Sequence, residues 1–233
     1  GNYNVAVGDE AGTAITTGDG NVAVGYQALS TEDANGESVA IGYRALKVQN
    51  AGAAGYNTAV GYDAGVAVTT GDQNTFIGAQ AGDAITTGRR NTAIGMVALT
   101  SDTLGKLNTA VGYAALNAQN FTTATDVYNT AVGALAGAAI TTGQVNTLVG
   151  GLSGDALTTG GENTAIGYKT LSANTTGAYN TALGSRALAN FNVTTSAGTY
   201  NDAVGYNAGN DVTTGIQNVL VGAQAGDVLT DAD

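Results

Sequence analysis

The side chains able to do chemistry in this chain are carboxylates, amides, hydroxyls and phenols, because it contains no histidine and no cysteine. That excludes Ser/His/Asp and Cys/His nucleophilic sites, disulfides, and metal centres built on imidazole or thiolate. Adjacent carboxylates at Asp9-Glu10 and Glu32-Asp33 could act as acid and base or hold a hard cation. Both pairs lie among turn formers, so they read as solvated turns. The glycines match neither the phosphate loop nor the dinucleotide fingerprint, and the Gly-Gly-x-Gly-x-Asp calcium repeat is missing, although calcium at acidic corners stays open. The expectation is a non-enzyme without cofactor or metal.

What the chain does have is columns. Asn-(Thr/Val)-x-(Val/Ile/Leu)-Gly recurs from Asn4, Asn21, Ser38, Asn57, Asn74, Asn91, Asn108, Asn129, Asn146, Asn163, Asn180, Asn201 and Asn218. Nine of the twelve intervals are 17 residues; the others are 19 after Ser38 and 21 after Asn108 and Asn180. Asn tolerates a left-handed backbone at a tight corner, and stacked Asn side chains can bond from coil to coil, so this column reads as a structural ladder. Tyrosines fall just before the Asn (Tyr3, Tyr56, Tyr128, Tyr179, Tyr200) or just after the Gly (Tyr26, Tyr43, Tyr62, Tyr113, Tyr168, Tyr206). They read as corner packing with the hydroxyl in water, or as a stripe able to stack on sugars. Pairs such as Thr16-Thr17, Thr69-Thr70 and Thr141-Thr142 raise ice binding as a further reading.

The elements that position these columns follow from the period. Seventeen residues per repeat leave no room for two helices, and each repeat carries a fixed Gly plus turn formers. The short β-branched cores "NVAVG", "SVAIG" and "NTFIG" read as buried strands. The predicted fold is therefore all-β, a parallel β-solenoid of about 13 coils forming a single repeat domain over 1–233. At about 4.8 Å per coil it would be a rod on the order of 60 Å long. The chain opens inside a repeat, at "GNYNVAVG", without an initiator Met, and so reads as a fragment of a longer fibrous chain.

A longer rhythm is superimposed. Four residues after the motif Gly the order is Gly, Leu, Leu, Gly, repeated three times with one further Gly at Gly226. Where Gly replaces Leu, an aliphatic residue follows three positions on, as in Ile15, Val68, Ile85, Ile140, Leu157, Val212 and Leu229. In the Leu coils that later position is mostly polar: Glu32, Gln49, Asp102, Gln119 and Asn174. Core volume lost at one site is restored at another.

In a strand, the residues one and three after the Asn share a face, and their Val, Thr, Ile and Leu side chains are expected to line the interior. The residue between them then faces outward: Ala6, Ala23, Ala40, Ala59, Phe76, Ala93, Ala110, Ala131, Leu148, Ala165, Ala182, Ala203 and Leu220. An apolar column of small side chains on the outer face reads as a homo-oligomer interface. The longer coils place extra residues at Lys47 to Gly55, Asn117 to Tyr128 and Ala189 to Tyr200. Insertions in solenoids gather on one face, so Phe121, Tyr128, Phe191 and Tyr200 are binding-loop candidates, with the two Phe residues alternatively packed down as plugs.

Eighteen acidic against seven basic residues give a formal charge of -11. That balance argues against nucleic acid and anionic membrane surfaces as partners, and nothing reads as a membrane-inserting segment. With 36 glycines, no proline and no tryptophan, the core must be thin and built of small side chains.

The stretches "NTAVGYDAG", "SVAIGYRAL" and "NTAIGYKTLSANTTGAYNTALG" resemble the head repeats of trimeric autotransporter adhesins and the similar repeats of phage tail fibres. The resemblance covers essentially the whole chain. It implies a left-handed parallel β-roll, association as a homotrimer, and an extracellular setting on a cell surface or virion, binding host protein, matrix or glycan. Two departures stand out: the coil is longer than the family's usual one, and no neck, stalk or anchor is present. A purely structural self-assembling filament is the alternative function, and ice binding a third.

Overall fold

The computed structural model describes residues 1–34, 36–195 and 198–229, so part of the third insertion, at Ser196 and Ala197, lies outside the described residues. The chain is an all-β parallel solenoid of about thirteen turns, each turn contributing one three-residue strand. Its residues fall into two compact units.

The first unit comprises Gly1–Tyr113 and Asn120–Val127. It holds β1 (Val5–Val7), β2 (Val22–Val24), β3 (Val39–Ile41), β4 (Thr58–Val60), β5 (Thr75–Ile77), β6 (Thr92–Ile94), β7 (Gly105–Lys106), β8 (Thr109–Val111) and β9 (Thr125–Asp126). Equivalent residues pair in register, as in Ala23↔Ala40 and Ala59↔Phe76, while β7 and β9 form a separate short parallel pair. The second unit comprises Ala114–Gln119 and Tyr128–Asp233. It holds β10 (Thr130–Val132), β11 (Thr147–Val149), β12 (Thr164–Ile166), β13 (Thr181–Leu183), β14 (Asp202–Val204) and β15 (Val219–Val221), again stacked in register.

Strands this short are stable because rung-to-rung bonding continues around the corners. Gly78 N–H donates to Val60 O (2.8 Å), Gln80 N–H to Tyr62 O (2.8 Å) and Thr69 N–H to Thr86 O (2.9 Å). The corners are tight, and the coil of Asn57 shows how: Tyr56, Gly61, Asp63 and Gly65 have φ of 48°, 144°, 54° and 58°. Asn57 itself is outside the left-handed region. The expected left-handed corner thus belongs to the residue before the Asn, which is Tyr, Glu, Gln, Arg, Leu or Val in most coils.

The inside and outside of the strand are inverted relative to the expectation. Ala23, Ala40, Ala59, Phe76, Ala93, Ala110, Ala131, Leu148, Ala165, Ala182 and Ala203 are all 0% exposed within the single chain, so they form the core and cannot be an oligomer face. Ala6 and Leu220 share the inward orientation but sit on the edge strands β1 and β15, where one side is uncovered: Ala6 is exposed and Leu220 half-buried. The physical reason is width. Opposite each strand the interior is already filled by Leu29, Leu46, Leu99 and their equivalents, or by Ile85 and Ile140, leaving space for little more than a methyl group.

The three large members of that column obey the same volume rule. Each stands on the second of two consecutive Gly coils. A Cβ added at Gly82 would lie 2.4 Å from Phe76, one at Gly65 2.8 Å from it, and one at Gly137 or Gly154 2.9 Å from Leu148. Paired glycines make the room, and one large side chain fills it.

Candidate functional site

The Asn column is a working ladder. Asn74 N–H donates to Asn57 Oδ1 (2.8 Å) and Asn91 N–H to Asn74 Oδ1 (3.0 Å), while Asn57 Nδ2 donates to Gly71 O (2.8 Å). The second unit repeats this, with Asn146 on Asn129 (2.9 Å), Asn163 on Asn146 (3.1 Å) and Asn180 on Asn163 (3.0 Å). Ser38 keeps the ladder running, since its N–H donates to Asn21 Oδ1 and its Oγ accepts from Asn57 N–H. These amides are buried and bond to backbone groups and to one another, as Asn74 Nδ2 does to Asn57 Oδ1 (3.1 Å).

The polar residues of the Leu coils are buried as well. Glu32, Gln49, Asp102, Gln119 and Asn174 are enclosed, with Gln49 Nε2 donating to Glu32 Oε2 (2.8 Å) and Asp102 Oδ1 accepting from the N–H groups of Gly105 (3.1 Å) and Phe121 (3.0 Å). The solvated-turn reading therefore holds for Asp9, Glu10 and Asp33, which are exposed, and is wrong for Glu32. Its signal was in the sequence: Glu32 occupies the position that is an interior aliphatic in the Gly coils.

Of the loop candidates, Phe121 and Phe191 are 6% and 0% exposed, so they are plugs and not contact residues. The carbonyl of Phe121 is tied to Thr103 Oγ1 (3.0 Å). Tyr128 and Tyr200 are 53% exposed and remain available. The hydroxyl of the first Thr in several pairs is committed to the next rung, as in Thr69 Oγ1 to Thr86 O (3.2 Å) and Thr141 Oγ1 to Thr158 O (3.2 Å).

The outer surface has three chemical features. First, the aliphatic residue three after each Asn faces outward: Ile41 and Ile77 in the first unit, and Val132, Ile166 and Leu183 in the second, are exposed, with Val60 and Val149 half-buried between them in their own units. Second, tyrosines stack where neighbouring rungs both carry one. Tyr26, Tyr43 and Tyr62 lie 5.2 and 5.1 Å apart, and Tyr179 stacks on Tyr200 at 5.1 Å. Ring faces within such a stack are covered by one another, which leaves mainly edges and hydroxyls for any ligand. Hydrogen bonding to the Glu162 carboxylate on the preceding rung pushes the Tyr179 phenol up, and Glu37 does the same to Tyr56.

Third, charges are arranged along columns. Arg44 donates from Nε and Nη2 to the two oxygens of Asp63 one rung on (2.8 and 2.5 Å), a fork that holds the guanidinium firmly charged. Asp83 and Asp155, at equivalent positions 72 residues apart, have carboxyls pushed up by burial; Thr100 donates to Asp83, and Lys169 acts on Asp155 in the opposite direction. Among the described residues no group of three or more carboxylates converges on one point where a metal could sit. Comparison with known proteins finds no matching family model, no matching curated protein and no matching solved structure.

Proposed function

We propose that this chain is a segment of an extracellular fibre on a cell surface or virion, structural and adhesive at once. Copies pack side by side as a homo-oligomer, a trimer being favoured, and the exposed corners meet a host protein, matrix component or glycan. One observation carries the reading: each unit turns an aliphatic column outward on a parallel sheet, with Ile77 38% and Leu183 41% exposed. Parallel sheets are characteristically covered on both faces, and a contiguous apolar strip marks an association surface. The same column stands on every copy, so symmetric packing covers it with itself. This relocates the interface from the alanines to the branched residues on either side of them. The repeat resemblance to adhesin heads and tail fibres supports the same reading.

Light scattering coupled to size exclusion tests it. The chain is expected to run as a trimer, and Ile77→Lys with Ile166→Lys to run as a folded monomer. A wild-type monomer at high micromolar concentration would remove the proposal. A purely structural filament is the second reading, favoured by how much of the polar inventory is spent on the ladder; electron microscopy separates continuous filaments from discrete particles.

A further inference from the structure

Five of the seven lysines and arginines line two surface grooves, one in each unit. In the first unit a groove of about 220 Å³ is bordered by Arg89, Arg90 and Lys106. Acids already neutralise it in part: Arg89 Nε lies 3.4 Å from Asp72, and Lys106 Nζ 3.6 Å from Asp126.

The second groove is different. It encloses about 280 Å³ and is bordered by Lys169, Ser172, Arg186, Ala189, Asn190 and Asn210. Lys169 and Arg186 occupy the same position on consecutive rungs, fixed by Lys169 N–H to Gly151 O (3.1 Å) and Arg186 N–H to Tyr168 O (2.9 Å). Among the described residues neither has a carboxylate within 4.0 Å. Two cations one rung apart, about 4.8 Å along the stack, repel each other. The same column pairs its cation elsewhere, in the Arg44–Asp63 fork. Here the flanking positions are the neutral Leu152 and Asn207. Asp155 feels Lys169 only from beyond ion-pair distance, and Asp211 is engaged by Asn210 Nδ2 (2.8 Å) and Asn190 Nδ2 (3.4 Å).

Beside the groove stands Tyr168, whose ring centroid is 5.7 Å from Lys169 Nζ. Unlike Tyr43, it has no ring on the rung before or after; those positions are Gly151 and Ser185. On the side of the groove, toward the rung of Arg186, the neighbour is the small Ser185, so no ring stacks on the Tyr168 face turned that way.

We propose that this groove binds an acidic sugar, a pyranose bearing a carboxylate or sulfate. Lys169 and Arg186 hold the anionic group, and the Tyr168 face receives the C–H face of the ring. The proposal rests on the adhesive reading above and names its ligand class. Calorimetric titration with a heparin-derived hexasaccharide and with hexagalacturonate separates sulfate from carboxylate, with isomaltohexaose as the neutral control. At least one acidic hexasaccharide is expected to bind and the neutral one not. Lys169→Gln with Arg186→Gln is expected to weaken binding by about tenfold or more, Tyr168→Ala to weaken it, and Arg89→Gln to leave it unchanged. Circular dichroism melting establishes that each variant is folded. Absence of binding by both acidic probes, undiminished binding in the double variant, or equal loss in Arg89→Gln overturns the site. Light scattering on the same samples keeps the readings apart: lost glycan binding with intact self-association removes the site alone, whereas a binding-competent monomer removes the fibre.

Discussion

At Asn146 one side chain serves two rungs: Oδ1 accepts the Asn163 N–H at 3.1 Å and Nδ2 donates to Gly160 O at 3.0 Å, all out of contact with water. Asn146→Ala orphans both partners, at about 1–3 kcal/mol for each buried group, and is expected to destabilise by about 2–6 kcal/mol, read as a lower urea midpoint. Strain at neighbouring positions runs the other way. Val145 holds φ of 59°, a conformation that β-branched residues resist and Asn tolerates, so Val145→Asn is expected to stabilise by about 1 kcal/mol, read as a higher melting temperature. Asp155 supplies a pH signature. Burial raises its carboxyl above the ordinary 3.8. Well below that value both folded and unfolded chains hold the proton and nothing is lost. As pH rises the unfolded chain ionises first, so stability falls until the folded carboxyl also ionises. Asp155→Asn should therefore raise the melting temperature at pH 7 and leave it unchanged at pH 3; equal gains at both would show that ionisation is not the cause.

The coil behaves as a volume-matched layer. Phe76 fills the space that Gly65 and Gly82 leave, and Phe76→Ala is expected to cost about 3–5 kcal/mol in denaturant unfolding. Adding Gly82→Leu should recover part of that, because Leu29 and Leu99 already hold the same left-handed corner with φ of 50° and 52°. The motif glycine tests stacking separately. A Cβ at Gly167 would meet the Gly184 carbonyl carbon at 2.7 Å, whereas one at Gly222 meets nothing within 4 Å, although both residues have φ above 120°. Gly167→Ala should be the more damaging of the two, the difference reporting rung contact rather than backbone strain. The Gly-to-aliphatic exchange could be read from residue order alone. That Phe76, Leu148 and Leu220 belong to the same exchange is also legible in the residue order, since each stands on the second of two consecutive Gly coils.

For the molecule as a whole, a charge of -11 per copy opposes the proposed association, whereas burying the aliphatic column in it would favour it. Raising NaCl from about 0.02 M to about 0.5 M should tighten self-association in sedimentation equilibrium and weaken acidic-sugar binding, opposite signs from a single variable. The period, the all-β class, the strand positions and the Asn ladder were determined by the sequence, because stacking in register makes equivalent residues neighbours whatever the coil's cross-section. Which face of a three-residue strand turns inward was decided only in three dimensions. Val, Thr, Ile and Ala are all compatible with either side, and the choice depends on how much space the opposite wall leaves. Phe191 stands at the interior position three after Leu188 and is legible in the residue order, whereas Phe121 as a plug and the groove between Lys169 and Arg186 were likewise decided only in three dimensions. Their surroundings come from rungs whose contacts the residue order cannot show.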